Sequence, residues 1–244
     1  MDCLNTGKFE EALTLSDEFI SLVKTNFGDE HPFYCSALNN KAFILKSCGE
    51  HEEAKPLFEE VIQKYSTLYG ENNEKTVISL HNLGTLLKDA QDYEASLKIY
   101  EKLLKIVEEE NLIIEGEKKG KLRLNIIANI YNSAGGLFRQ VKNFKESERL
   151  FNLAYDIVKT NFGEKTLPIA SILNNMALAD KDQGKMEAAK EKYNKALTIL
   201  TELLPPDHPE LKMTKENLDK LEISNGTNTQ TTFTRQEDGG NDKL

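Results

Sequence analysis

Apolar residues recur along most of this chain at three- and four-residue intervals, with charged and amide residues between them. From Ser79 to Asp89 the positions Leu80, Leu83, Leu86 and Leu87 fall on one helical stripe. A short Gln91-Asp92 break follows, and Tyr93, Leu97, Tyr100, Leu103, Leu104 and Val107 form a second stripe. No segment sustains the period-two alternation of a half-buried strand. The pattern therefore predicts helices joined by short turns and no sheet.

The helix pairs repeat. Gly7-Lys8-Phe9-Glu10-Glu11-Ala12 returns forty-two residues later as Gly49-Glu50-His51-Glu52-Glu53-Ala54. Gly28 returns as Gly70, Leu38-Asn39-Asn40 as Leu80-His81-Asn82, and Lys142 to Ser147 as Gly184 to Ala189, all at the same step. Between Gln91 and Lys142 the step is longer by nine residues, which places an insertion within 111–121. One first-helix position holds Ala42, Gly84, Gly135 and Ala177, and one second-helix position holds Ala12, Ala54, Ser96, Ser147 and Ala189. Small side chains there let paired helix axes approach closely, with Phe58, Tyr100, Phe151 and Tyr193 filling the adjoining space. A pair of this size cannot bury its apolar face alone, so successive pairs must stack. The expected fold is all-α, a right-handed α-solenoid of antiparallel helix pairs.

Gly49 and Gly184 sit where a first helix ends, as left-handed caps require. His31-Pro32 and His208-Pro209 precede new helices, where proline is accommodated in the first turn. The expected organisation is a solenoid over 1–223: about four full repeats, a partial first repeat opening near Leu4, and a cap helix carrying Leu211, Leu218 and Leu221. A polar, Gly/Thr/Asn-rich tail over 224–244 is expected to be disordered. The nearly absent first helix reads either as part of a longer chain or as a face covered by a partner. The Lys/Glu-rich insertion reads as a tolerated loop or as a protruding partner contact.

These residues carry a family resemblance. The small/aromatic pattern, with Leu83-Gly84 in a first helix, resembles the tetratricopeptide repeat. The forty-two-residue step and the strings LNNKA, LHNLG, LNNMA, GDEHP and PPDHP are similar to the kinesin light chain type of that repeat. Lys41 and Asp180 depart from it, each standing at a usually apolar or aromatic position. The resemblance implies a superhelix whose first helices line a concave groove that binds protein segments.

The groove candidates come from the first helices. Asn40, Asn82, Ser133, Asn175 and Asn217 share one position, and Asn is a mediocre helix former. Their amides can give and accept hydrogen bonds along an extended peptide, or they can bond neighbouring helices. Six residues on stand Lys46, Lys88, Arg139 and Lys181. This basic ladder would draw acidic segments into the groove, or it would merely complement helix C-terminal dipoles. A chaperone carboxylate clamp, by resemblance, needs Lys or Arg one turn before the Asn. Ser36, Ile78, Asn129, Ser171 and Met213 stand there, which argues against that partner class.

Composition narrows the rest. Thirty-one Lys and Arg against forty Asp and Glu give a net charge of -9, which argues against nucleic acid. The apolar share, glycine included and tyrosine left out, is about 42%, just under the usual ~45–50%, as suits a high-surface protein. No apolar run reaches membrane-spanning length, and Met-Asp-Cys-Leu-Asn is no secretory leader. Three cysteines without a Cys-x-x-Cys pair point to a reduced, cytoplasmic setting. The histidines His31, His51, His81 and His208 have no metal-ligand spacing, and phosphate-loop and nucleophile-elbow motifs are absent. His81 with Cys35 or Cys48 lacks an orienting third group. The expectation is a non-enzymatic scaffold or adaptor, without cofactor or metal, for an acidic or amphipathic protein segment. The alternative is a structural or assembly factor docking through outer helix faces into a larger complex, an organellar one included.

Overall fold

A computed structural model of the chain describes residues 9–110 and 119–233, with side chains over 9–108 and 124–221. Among these residues there are ten helices and no strand. In chain order they are α1 (Phe9–Phe27), α2 (Pro32–Ser47), α3 (His51–Tyr69), α4 (Glu74–Asp89), α5 (Tyr93–Glu110), α6 (Lys119–Gln140), α7 (Phe144–Phe162), α8 (Leu167–Asp182), α9 (Met186–Leu203) and α10 (Pro209–Phe233). The fold is all-α, built from the antiparallel helix pairs of a solenoid. The chain divides into two compact units, Met1–Leu137 and Phe138–Leu244. Residues 111–118, most of the nine-residue insertion, lie outside the described residues.

In the first unit the core runs in two linked patches. Val23 of α1, Tyr34, Cys35 and Leu38 of α2, and Val61 and Tyr65 of α3 form one. Ala42 and Leu45 of α2, Ala54 and Phe58 of α3, and Leu83, Leu86 and Leu87 of α4 form the next. Phe58 and Tyr100 are fully buried, and burying such a side chain contributes roughly 1.5–3 kcal/mol. The small positions let this happen. An alanine Cβ at Gly84 would stand 2.9 Å from Tyr100 Cε2, and the same closeness lets the Ser96 hydroxyl donate to the Gly84 carbonyl at 2.8 Å. Lys41, at a usually apolar position, finds Asp17 of α1 at 2.5 Å.

In the second unit α7 buries Ser147, Leu150, Phe151, Ala154 and Val158. Ala177 of α8, Ala189 and Tyr193 of α9, and Leu221 of α10 form a core cluster, with Leu218 packed against it. Asp180, the other departure from the repeat pattern, is paired with Lys192 of α9 at 2.5 Å. The backbone of α10 continues past residue 223 to Phe233, and residues 234–244 of the expected tail lie outside the described residues.

The turns explain why the pairs close alike. At Gly49 the backbone takes φ +85°, and Glu50 N–H returns to the Leu45 carbonyl at 3.0 Å. Gln91 and Lys142 occupy the same turn position with φ of 63° and 62°, and Asp92 and Asn143 make the matching bonds to Leu87 and Phe138. The His-Pro signals have a further role: His31 Nδ1 accepts from Phe33 N–H at 3.2 Å, and His208 Nδ1 from Glu210 N–H at 3.3 Å, so each histidine caps its helix.

Candidate functional site

The first helices of the pairs carry the candidate residues. In the first unit Asn40 is exposed on α2. It lines an open cavity of about 240 Å³ between α2 and α4, together with Ser36, Asn39, Tyr65, Lys75, Ile78 and Ser79. The Tyr65 hydroxyl and Ser36 Oγ lie 3.1 Å apart in hydrogen-bond contact. The Lys75 amine stands over the rings of Tyr65 and Tyr69, 5.6 and 5.0 Å from their centroids.

Asn82 and Ser133 are half-buried and held between helices. Asn82 Nδ2 donates to Asn39 Oδ1 at 3.4 Å, joining α4 to α2. Ser133 Oγ contacts His81 Nε2 at 3.0 Å, joining α6 to α4. Burial, with the positive charges of Lys46 and Lys88, drives the His81 pKa down to about 4, against a weaker opposing pull from the Asn129 backbone. His81 is therefore neutral at pH 7, its edge set against the Tyr100 ring with centroids 6.1 Å apart. The Tyr100 hydroxyl lies near Ser133 but outside good hydrogen-bond geometry, and burial pushes its pKa upward.

The basic positions are largely engaged. Lys46 donates to Thr85 Oγ1 at 2.6 Å and stands 3.4 Å from Asp89; burial lowers its pKa, with Asp89 opposing. Lys88 lies 3.8 Å from Asp89. In the second unit Arg139 Nη1 meets Asp182 Oδ2 at 2.5 Å. There Asn175 and Lys181 are half-buried on α8, and the buried Asn174 side-chain oxygen has no partner among the described residues. The structure thus brings Asn40, Asn82, Lys46 and Lys88 onto neighbouring helices of one unit, and Arg139, Asn175 and Lys181 into the other.

Sequence reasoning missed Asn39, Thr85, Asp89, Asp182 and Lys75. A signal for some of them exists. Asn39–Asn82 and Arg139–Asp182 are both forty-three residues apart, one more than the repeat step, and His81–Ser133 are fifty-two apart, the same offset plus the insertion. Lys75 has no such signal, because its place in the cavity depends on the preceding second helix supplying Tyr65 and Tyr69.

Two further crevices hold about 30 Å³ each, room for about one water. One is apolar, lined by Val77, Ile106, Val107, Ile126, Ile127 and Ile130 with Asn72 and Glu74. The other surrounds the Asp180–Lys192 pair. No cluster of His, Cys, Asp and Glu suited to a metal ion occurs among the described residues. No helix among them is long and apolar enough to cross a membrane.

The tetratricopeptide repeat family model matches residues 33–109 and 126–202. Among solved structures, BtubC (BKLC) from P. vanneervenii is similar at a TM-score of 0.71 and 16% identity, over 97% of this chain and 96% of that one. The kinesin light chain TPR-like repeats of Podosopora anserina are similar at TM-scores of 0.63 and 0.61, with 14% identity, 82% of this chain and 91% of theirs. At those identities the likeness is one of fold. No curated protein matches the sequence.

Proposed function

The chain belongs to the tetratricopeptide repeat family, and on that premise we propose that it is a non-enzymatic scaffold that holds an extended partner segment along its first helices. The observation that carries this reading is the open cavity between α2 and α4, with Asn40 exposed in its wall. Asn40 in the first unit gives and accepts hydrogen bonds along a partner's backbone, a sequence-tolerant mode of recognition, and Asn175 offers the same group within the second unit. Asn82 and Ser133 hold adjacent first helices at a set spacing, which is a positioning role. Lys46 and Lys88 share Asp89, and Arg139 is committed to Asp182, so acidic attraction from the basic ladder falls to Lys181 and to the one charge that Lys46 and Lys88 hold in excess of Asp89. The free thiols of Cys35 and Cys48 fit a reducing, cytoplasmic setting.

The test is selection of displayed peptides on the wild-type chain, followed by titration against Asn40→Ala/Asn175→Ala. A loss of tenfold or more in affinity is expected. Selected peptides that bind both proteins equally would remove the first helices from the function. A second reading, an assembly factor docked through an outer face, is favoured by one feature. Leu15, Phe19 and Leu22 of α1 are 56%, 48% and 60% exposed, whereas Val61, at the position of Phe19 in the next pair, is fully buried. Peptides competed by Phe19→Glu instead of by the Asn pair would support that reading.

A further inference from the structure

We propose that the cavity between α2 and α4 is a subsite for one carboxylate side chain, an Asp or Glu flanked by uncharged residues, with Lys75 as its counter-charge. The proposal rests on the groove reading above and names the partner chemistry of one part of that groove. At about 240 Å³ the cavity lies below the ~300–1,000 Å³ typical of small-molecule pockets and suits a single side chain. Most of its exposed lining is apolar, with Ile78 and side-chain stems contributing, and Ser36, Asn39, Asn40 and Tyr65 set hydroxyls and amides into that wall at a few points where a carboxylate's oxygens can be met.

The charge in that wall is a lone cation. Among the described residues no carboxylate comes within ion-pair distance of the Lys75 amine, in contrast to Lys46 and Arg139. The amine is instead placed by two aromatic faces, Tyr65 and Tyr69, which hold a cation without neutralising it. Tyr65 is itself fixed by its contact with Ser36, so the platform is set before any ligand arrives. Lys75 also lies in the first turn of α4, where the helix dipole favours an anion, while the adjacent Glu74 lines the separate apolar crevice.

One positive charge balances one carboxylate and undercompensates a phosphate dianion. The net charge of -9 works against a polyacidic partner, so the site fits an isolated acidic residue better than an acidic tract. The chaperone clamp positions Ser36 and Ile78 are not basic, yet Lys75 one turn ahead of Ile78 reaches the same space from the next repeat. The subsite is therefore split between repeats, with amides from α2 and the cation from α4.

The test uses blocked amino acids, so it stands apart from any partner peptide. N-acetyl-glutamate methylamide, its glutamine analogue, N-acetyl-glycine and blocked phosphoserine are titrated into the full chain. The side-chain amide signals of Asn39 and Asn40 are followed by NMR. Expected are saturable shifts with the glutamate probe at millimolar concentration, at least fivefold weaker with the glutamine analogue, abolished by Lys75→Met and retained by Lys75→Arg. Equal response to glutamate and glutamine, or a response unchanged in Lys75→Met, overturns the proposal. Tighter binding of N-acetyl-glycine or phosphoserine overturns the assignment to a side-chain carboxylate. If the peptides selected above lose affinity in Asn40→Ala/Asn175→Ala while the glutamate probe fails, the groove reading survives and this subsite does not.

Discussion

Replacing Gly84 with alanine puts a Cβ 2.9 Å from Tyr100 Cε2, 3.1 Å from Ile99 Cγ2 and 3.3 Å from Tyr100 Cδ2. Tyr100 is fully buried, with His81 set edge-on against its ring, so the ring has little room to yield. Gly136 in α6 is the matched control: it too is an interior helical glycine of the first unit, and an added Cβ there meets nothing within 4 Å. Both substitutions gain helix propensity, about 1 kcal/mol each. Only Gly84→Ala adds an overpacking cost, about 1–3 kcal/mol. Gly136→Ala should therefore stabilise the protein by up to about 1 kcal/mol, and Gly84→Ala should destabilise it by up to about 2 kcal/mol. Alanine is accommodated at the equivalent positions Ala42 and Ala177, so the penalty belongs to this particular approach of α4 and α5 rather than to the repeat in general. Urea melts followed by helical circular dichroism measure both variants against wild type. If Gly84→Ala proves as stabilising as Gly136→Ala, the close-packing argument for the small first-helix position is wrong.

His81 links stability to pH. Its folded pKa of about 4 lies below the ordinary 6.5, so the fold holds the neutral ring. The contribution is fully present above pH 6.5 and is lost as pH falls toward 4. At about 1.36 kcal/mol per pH unit the ceiling is about 3 kcal/mol, reduced by the ring's partly accessible edge. Melts at pH 7.0 and 5.5 should show this loss in wild type and a smaller one in His81→Gln; identical slopes would sink the assignment. Gln91 and Lys142 stand at φ 63° and 62°, where a side chain costs roughly 1–2 kcal/mol. Gln91→Gly and Lys142→Gly should each raise the urea midpoint, and a lowered midpoint would show that the side chains there contribute more than the strain costs. Arg139 and Asp182 should couple by about 0.5–1 kcal/mol in a double-mutant cycle at low salt, and by much less in 1 M NaCl. Coupling that persists in salt would contradict a partly exposed pair.

The repeat step was legible because it is a covalent fact, and the helix pairing followed from it. Ala54, Ser96, Ser147 and Ala189 recur at one position, and each is fully buried. Phe58, Tyr100, Phe151 and Tyr193 were readable as core for the same reason, since helical spacing places them on the face that a partner helix must cover. The cap at Gly49 was readable too, because a positive φ favours glycine; Gln91 and Lys142 were not, because their turn is imposed by the packing on either side. The candidate site was legible only as a set of helix faces. Asn40, Asn82 and Ser133 look equivalent along the chain, yet one is exposed while the other two bond neighbouring helices.

Local spacing thus determined which residues form helices, which face each helix buries, and where each pair turns. Only the tertiary structure decided which polar groups remain open to a partner. That choice depends on the offset between successive first helices, which brings Asp89 to Lys46 and leaves Lys75 over two tyrosines beside Asn40. Periodicity fixes direction around one helix axis, whereas charge pairing depends on distances between axes. Those distances are set by close packing of side chains far apart in the chain.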